Sequence, residues 1–179
     1  MLHDIVSSYY KYQTHERTSD MLLYHGSNVA VREPVLLHSR TSLDFGPGFY
    51  LTSDWDQAVK WARRKTRVRS AGTPVVSTFT VDEALWSDLS ILRFSGADRE
   101  WLQTVVKYRT NQPVEGEYDV LIGPVADDRT IDVINQYITG AYPEDIALRL
   151  LLPMRFVDQW ALKTDLALST LIWKEAVSV

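Results

Sequence analysis

Apolar residues in this chain fall into runs of strand length, and these runs are interleaved irregularly with stretches of helical spacing, a pattern that leaves few architectures open. Met21-Leu22-Leu23-Tyr24 is the first such run and is closed by His25-Gly26-Ser27. The glycine-proline turn Asp44-Phe45-Gly46-Pro47-Gly48 feeds a second, Phe49-Tyr50-Leu51-Thr52. Pro74–Val81 and Tyr118–Val125 read as further strands, the latter ending in Gly123-Pro124, and Arg155–Leu162 alternates into another. Between them, Ala58, Trp61, Ala62 and Lys65 recur at helical spacing over 54–66, behind Ser53 as N-cap and Asp56 in the capping-box position. Asp98–Arg109 carries Trp101, Leu102, Val105 and Val106 on one helical face. Thr130–Ile138 is a helix stopped by Gly140, and Glu144–Leu151 one stopped by Pro153. Thr164 caps a last helix carrying Leu166, Ala167, Leu171 and Ile172. Strands and helices mix without regular β-α-β alternation, so the expected class is α+β. The expected organisation is one domain over 21–179, preceded by a polar, aromatic-rich extension over 1–20.

Composition narrows the function classes. Cysteine is absent, which removes disulfides, thiolate chemistry and cysteine-bound zinc. Of the four histidines, His3, His15, His25 and His38, no two stand four apart on a helix, and no carboxylate joins them at metal-ligand spacing, so no metal is expected. No apolar run approaches the roughly 20 residues that span a bilayer. The first twenty residues lack the apolar core of a signal peptide, so the expected location is cytoplasmic, with no membrane partner. A net charge of −4 speaks against nucleic-acid binding by the whole surface but leaves room for a local basic patch.

Neither a Walker loop nor a Gly-x-Ser-x-Gly elbow is present, and Gly46-Pro47-Gly48 lacks the third glycine of a dinucleotide fingerprint. His25-Gly26-Ser27 puts an imidazole and an accessible glycine peptide at a sheet end, where N–H and C=O can pair with a carboxamide. A locally bonded turn histidine is the plainer reading. Phe45-Gly46-Pro47-Gly48-Phe49-Tyr50 sets aromatic residues around a tight turn, and reads equally as a core strand entered through a loop.

The order of these two elements, followed by a helix bearing an aromatic, resembles the ADP-ribosyltransferase superfamily, in its His-Tyr-Glu branch that includes diphtheria toxin and the poly(ADP-ribose) polymerases. More narrowly, Tyr24–Ser27, Leu43–Thr52 and Ile122–Arg129 resemble a bacterial domain family of uncharacterised function in that superfamily. The resemblance covers about residues 21–175. It implies two small antiparallel sheets forming a split NAD cleft, with flanking helices. It also implies mono-ADP-ribosyl transfer from NAD, without a metal, to a macromolecular acceptor that is protein or nucleic acid. NAD glycohydrolysis and a degenerate NAD-binding module are the alternatives, and a toxin or defence effector held by a neutralising antitoxin is a further implication. His25 would contact the adenosine ribose, Gly26 the nicotinamide carboxamide, and Tyr50 the nicotinamide ring. Ser27, Phe45, Gly46, Gly48 and Phe49 complete the implied cofactor-binding set. Trp61, eleven residues after Tyr50, falls where relatives place a second stacking aromatic. A cationic ring between two aromatic faces gains about 1–2 kcal/mol from cation–π attraction. Trp61 also reads as a core-facing helix residue.

Two positions depart from the pattern. Ala58 stands where relatives carry a serine that bonds the carboxamide, and Gln159 stands where the catalytic glutamate belongs. Losing such an electrostatic stabiliser costs about 3–4 kcal/mol of barrier. Asp158 points to the other strand face. Asp127, Asp128 and Arg129 are a possible source of charge or a solvated turn. The run Arg63, Arg64, Lys65, Arg67 and Arg69 reads as a solvated helix end, or as a landing strip for NAD phosphates or a nucleic acid. Acceptor choice is expected in loops such as 28–43 and 110–117.

Overall fold

The computed structural model describes residues 21–36, 43–126, 128–154 and 156–179. The expected extension 1–20 and the histidines His3, His15 and His38 lie outside them, as does Asp127. Among the described residues the class is α+β: two small sheets of three and four strands with five α-helices.

One sheet has the order β1-β3-β7, built from β1 (Leu22–Ser27), β3 (Val75–Val81) and β7 (Leu171–Ser178), all antiparallel. The other has the order β2-β6-β5-β4, from β2 (Phe49–Leu51), β6 (Asp158–Leu162), β5 (Val120–Pro124) and β4 (Ile91–Arg93). Strand alternation sorts their side chains into layers. Leu23 and Phe79 from one sheet meet Phe49, Leu51, Val120, Ile122, Trp160 and Leu162 from the other in a shared core. Outside the three-stranded sheet, Val76 packs against Ala58 and Ala62 of α1 (Trp55–Arg69). Outside the four-stranded sheet, Leu121 and Ala161 pack against α2 (Arg99–Arg109), α3 (Asp128–Ile138) and α4 (Glu144–Leu151) through Trp101, Leu102, Val105, Ile134 and Leu151. The short α5 (Asp165–Ser169) adds Ala167 and Leu168 to the inner core. No described helix is long and apolar enough to cross a membrane.

Four expectations are corrected. The sheets are not wholly antiparallel: β4 runs parallel to β5, with α2 forming the crossover that parallel neighbours require. β4 is three residues long in a stretch with no periodic signal. The last helix ends at Ser169, and Leu171 and Ile172 belong to β7, a strand held by long-range pairing with β3 that local spacing does not reveal. His25-Gly26-Ser27 lies within β1 and not after it, because the ladder to β3 continues through Ser27 opposite Val75. The cap of α1 is Asp54, whose carboxylate accepts from Gln57 N at 2.7 Å, and not Ser53.

α1 lies unusually close to β1. A Cβ on Gly26 would sit 2.0 Å from the Ala58 carbonyl oxygen and 2.8 Å from the Ala62 nitrogen, so glycine is needed at this contact. Gly26→Ala should therefore lower stability by about 3 kcal/mol, the upper end of overpacking costs, because helix backbone must move. Thermal or urea denaturation measures this; a loss below about 1 kcal/mol would contradict the close helix contact.

Candidate functional site

The two sheets approach each other along β1 and β2, and there they part. Tyr24 and Thr52 exchange two backbone bonds, N–H to O distances 2.8 and 3.0 Å, as a single isolated bridge. In a continuing antiparallel ladder, Gly26 would pair with Tyr50 two residues on. Instead, His25 Nδ1 donates to the Tyr50 carbonyl oxygen at 2.7 Å. A carbonyl only accepts, so Nδ1 carries the proton. Since the Tyr24 peptide groups point toward β2, strand alternation aims the Gly26 N–H and C=O at the same edge, away from β3. Gly26 is buried and has no hydrogen bond outside the β1–β3 ladder among the described residues. A buried peptide thus faces a gap between two sheets, roofed by the Ala58–Ala62 turn of α1.

Of the sequence-predicted residues, His25, Gly26 and Tyr50 border this gap. His25 is half-buried and stacked on Phe49, centroids 4.4 Å apart at 21°. Trp61 is half-buried and belongs to none of the three apolar clusters; the core-facing residues of α1 are Ala58 and Ala62. On the helical wheel Trp61 stands about 60° from Ala58, on the flank opposite Val59. Val59 packs with Val76 and Val179, so the Trp61 flank is the one turned away from β3. Tyr50 is half-buried, and its hydroxyl donates to the Gly46 carbonyl at 2.7 Å and accepts from Phe45 N at 3.2 Å. Burial, and then the charge of Asp44, push the Tyr50 phenol well above the usual range, so it stays a donor. Gly46 has φ +68°, a left-handed conformation that favours glycine, and its missing side chain leaves room for Tyr108. Gly48 lies against the Leu162 carbonyl.

Phe45 and Phe49 are corrected from site surface to support: Phe45 is fully buried in the outer core of the four-stranded sheet and Phe49 in the inner one. Ser27 is likewise buried, on the inner face beside His25. Ala58, in the place of the expected serine, is fully buried against the sheet. Asp158 does face away from Gln159, accepting from Thr52 Oγ1 at 3.1 Å and Ser53 N at 2.9 Å.

Gln159 is held by Asp44, to which the sequence expectations give no role. Asp44 is buried, and both its oxygens are fully used. Oδ1 accepts from Arg109 Nε at 3.0 Å and Nη2 at 2.6 Å, while Oδ2 accepts from Ala126 N at 2.8 Å and Gln159 Nε2 at 2.7 Å. Gln159 Nε2 also donates to the Pro124 carbonyl at 2.9 Å. Position 159 therefore faces two acceptors and requires a donor. A glutamate there would set its carboxylate against that of Asp44. The signal was available, since an aspartate opening an apolar, glycine-rich run is unusual unless its charge is paired. A cavity of about 600 Å³ lined by Arg93, Asp98, Pro124, Phe156 and Asp158 lies apart, and includes none of His25, Gly26, Tyr50 or Trp61.

A family model described as a protein of unknown function, DUF3990, matches residues 21–173. The chain belongs to the DUF3990 family. No curated protein and no solved structure matches it. The matched span takes in β1, the turn before β2, α1 and the Asp44–Gln159 network, so the DUF3990 domain contains the whole gap.

Removing the Asp44 carboxylate leaves Arg109 nearly buried with no counter-ion. Asp44→Ala is expected to cost about 3–5 kcal/mol in urea denaturation. A loss under about 1 kcal/mol would show that the network does not carry the fold.

Lys163 closes the same corner. Its ammonium donates to the Phe45 carbonyl and lies 4.6 Å from the Tyr108 ring centroid. Burial pushes its pKa down from 10.5 to about 8. Between those values the unfolded chain binds more protons than the folded one, so stability contributed by this group rises with pH; below them its burial cost is fully present. The stability of the native chain relative to Lys163→Met should therefore improve between about pH 7 and about pH 10, read by denaturation at each pH. A difference that falls over this range would contradict the assignment.

Proposed function

We propose that this DUF3990 domain binds NAD in the gap between β1 and β2 and cleaves its nicotinamide N-glycosidic bond, transferring single ADP-ribose units to a macromolecular acceptor. The observation that carries the reading is the unpaired peptide of Gly26. A buried donor and acceptor side by side on a strand edge are complementary to a carboxamide, which offers one of each. Without a ligand such groups are costly to bury, so a polar occupant fits. Trp61 stands on the flank of α1 turned away from β3, and Tyr50 lies across the gap on β2. That is the setting a planar cationic ring requires, with a carboxamide at one end and aromatic groups nearby. The resemblance to ADP-ribosyltransferases supplies the identity of the ring and gives His25 the adenosine ribose.

In the reaction, the bond between ribose C1′ and the nicotinamide nitrogen breaks, and nicotinamide leaves with the electron pair. An acceptor nucleophile forms the new bond to C1′ and gives up its proton. Neutralisation of the pyridinium makes nicotinamide a competent leaving group, so no metal is invoked. Binding energy from the adenosine end, held near His25, favours the strained geometry in which this bond loosens. The Gln159 amide supplies no negative charge to the transition state, and Asp44 has every lone-pair direction engaged. This favours slow, single transfers over chain growth.

The same observation favours a second reading, an NAD-binding module without turnover. Labelled NAD separates the two: label on a macromolecule means transfer, free ADP-ribose means hydrolysis, and unchanged NAD that still binds means a module.

Calorimetry with NAD tests the slot itself. Trp61→Ala should weaken binding roughly tenfold, the equivalent of about 1–2 kcal/mol of cation–π attraction, with thermal stability nearly unchanged. Absence of NAD binding by the unaltered protein at millimolar concentration would remove the proposal.

A further inference from the structure

α1 carries six of the chain's nineteen Lys and Arg residues within fifteen positions, in a protein of net charge −4. At about 100° per residue, Lys60, Arg64 and Arg67 fall within about 60° of one another, with Arg63 beside them, on the side opposite Ala58 and Ala62. All four are exposed. Lys60, Arg63, Arg67 and Arg69 make no ion pair among the described residues. The attraction between cations and a helix C-terminus accounts for Arg67 and Arg69 in the last turn, but fades before reaching Lys60 and Arg63. This stripe faces away from the three-stranded sheet, whereas the Gly26 peptide lies beneath the helix, so the diphosphate of a nucleotide seated in the gap is not its partner.

The stripe also borders Trp61, which stands about 60° from Arg64 on the wheel, on the flank turned away from β3. An anionic chain lying on the back of α1 therefore passes beside the Trp61 flank. From Lys60 to Arg67 the stripe is about 10 Å long, the span of two or three phosphates of one strand. Arginine predominates in it, and its planar fork matches phosphate oxygens in pairs. A basic track beside a half-exposed aromatic is the pattern used to hold single strands.

We propose that the back of α1 binds the phosphate backbone of a single-stranded nucleic acid, and that this strand is the acceptor presented to the gap. The inference rests on the NAD reading for its second half only.

The test begins without NAD. The full chain is titrated into a fluorescein-labelled, mixed-sequence single-stranded oligonucleotide, as DNA and as RNA, and anisotropy is read across a salt series. Neutralising two or three phosphates of a single strand predicts a log–log salt slope near about −2. The triple variant Lys60→Gln, Arg63→Gln, Arg67→Gln should reduce it to about −1 and weaken low-salt binding at least about tenfold. These are exposed positions, so an unchanged melting temperature accompanies the loss. Three results overturn the stripe: no binding at about 50 mM salt, an unaltered slope in the variant, or equal binding of polyglutamate. Labelled NAD is then added. Label on the oligonucleotide that is lost in the triple variant supports the acceptor role, and label on protein with the oligonucleotide untouched overturns it. Absence of NAD binding by calorimetry defeats the gap reading, and with it the acceptor role, while the anisotropy still reports on the stripe by itself.

Discussion

The imidazole of His25 occupies a hydrogen bond that the backbone would otherwise make with itself. β1 and β2 meet at Tyr24 and Thr52 in good antiparallel geometry, and nothing in their composition forbids a longer ladder. By donating to the Tyr50 carbonyl, His25 satisfies that acceptor and lets the two sheets diverge, leaving the Gly26 peptide at the split. The stack of His25 on Phe49 fixes the ring, and Phe49 in turn is pinned edge-on to Phe79 in the core, centroids 5.9 Å apart. The opening is thus held from inside the shared core and from the strand edge together. Loss of the imidazole leaves two peptides free to pair and close the gap.

A second constraint acts from the opposite side of the four-stranded sheet. Asp44 ties together the turn before β2, the end of α2, the loop after β5 and the middle of β6, elements scattered through the chain. Its carboxylate accepts four hydrogen bonds, which is what makes a charge tolerable at such depth. This arrangement determines the residue at 159 on electrostatic grounds. With an acceptor at Asp44 and another at the Pro124 carbonyl, an amide fits and a carboxylate does not. Glutamine at this position follows from local hydrogen bonding, and any activity of the site has to operate without a charge there. Fold and chemistry pull on the same residue, and the fold's requirement is visible in the distances.

Much of this was legible in the sequence where the signal is local. The helices at 99–109 and 144–151 follow from apolar spacing and stop residues, and the strands at 75–81 and 120–124 from short apolar runs. The aromatic on α1 and the histidine beside a glycine could be singled out from order alone. What escaped was whatever depends on partners distant in sequence. β7, eight residues long, exists because β3 offers an edge, and three-residue β4 because α2 returns the chain parallel to it; neither stands out in local apolar spacing. Phe45 and Phe49 flank the turn in the sequence as equals of Tyr50, yet alternation sends Phe49 inward, and Phe45 packs under Phe94. Sequence order points to Gly26 for its access to a ligand, whereas its lack of a side chain is already required by α1.

That last point links packing to the gap. A helix can ride on a strand at backbone distance only where both surfaces are small, which Gly26, Ala58 and Ala62 provide. A serine at 58 would have to be accommodated in the same fully buried contact, so alanine there follows from the closeness of the helix. Because α1 sits so low on β1, a large residue on the flank away from β3 has no room to turn inward. Trp61 is on this flank. The close contact that covers one face of the Gly26 peptide therefore keeps the Trp61 indole on the flank away from β3 and turns the remaining arc of the helix, with its cations, outward to solvent.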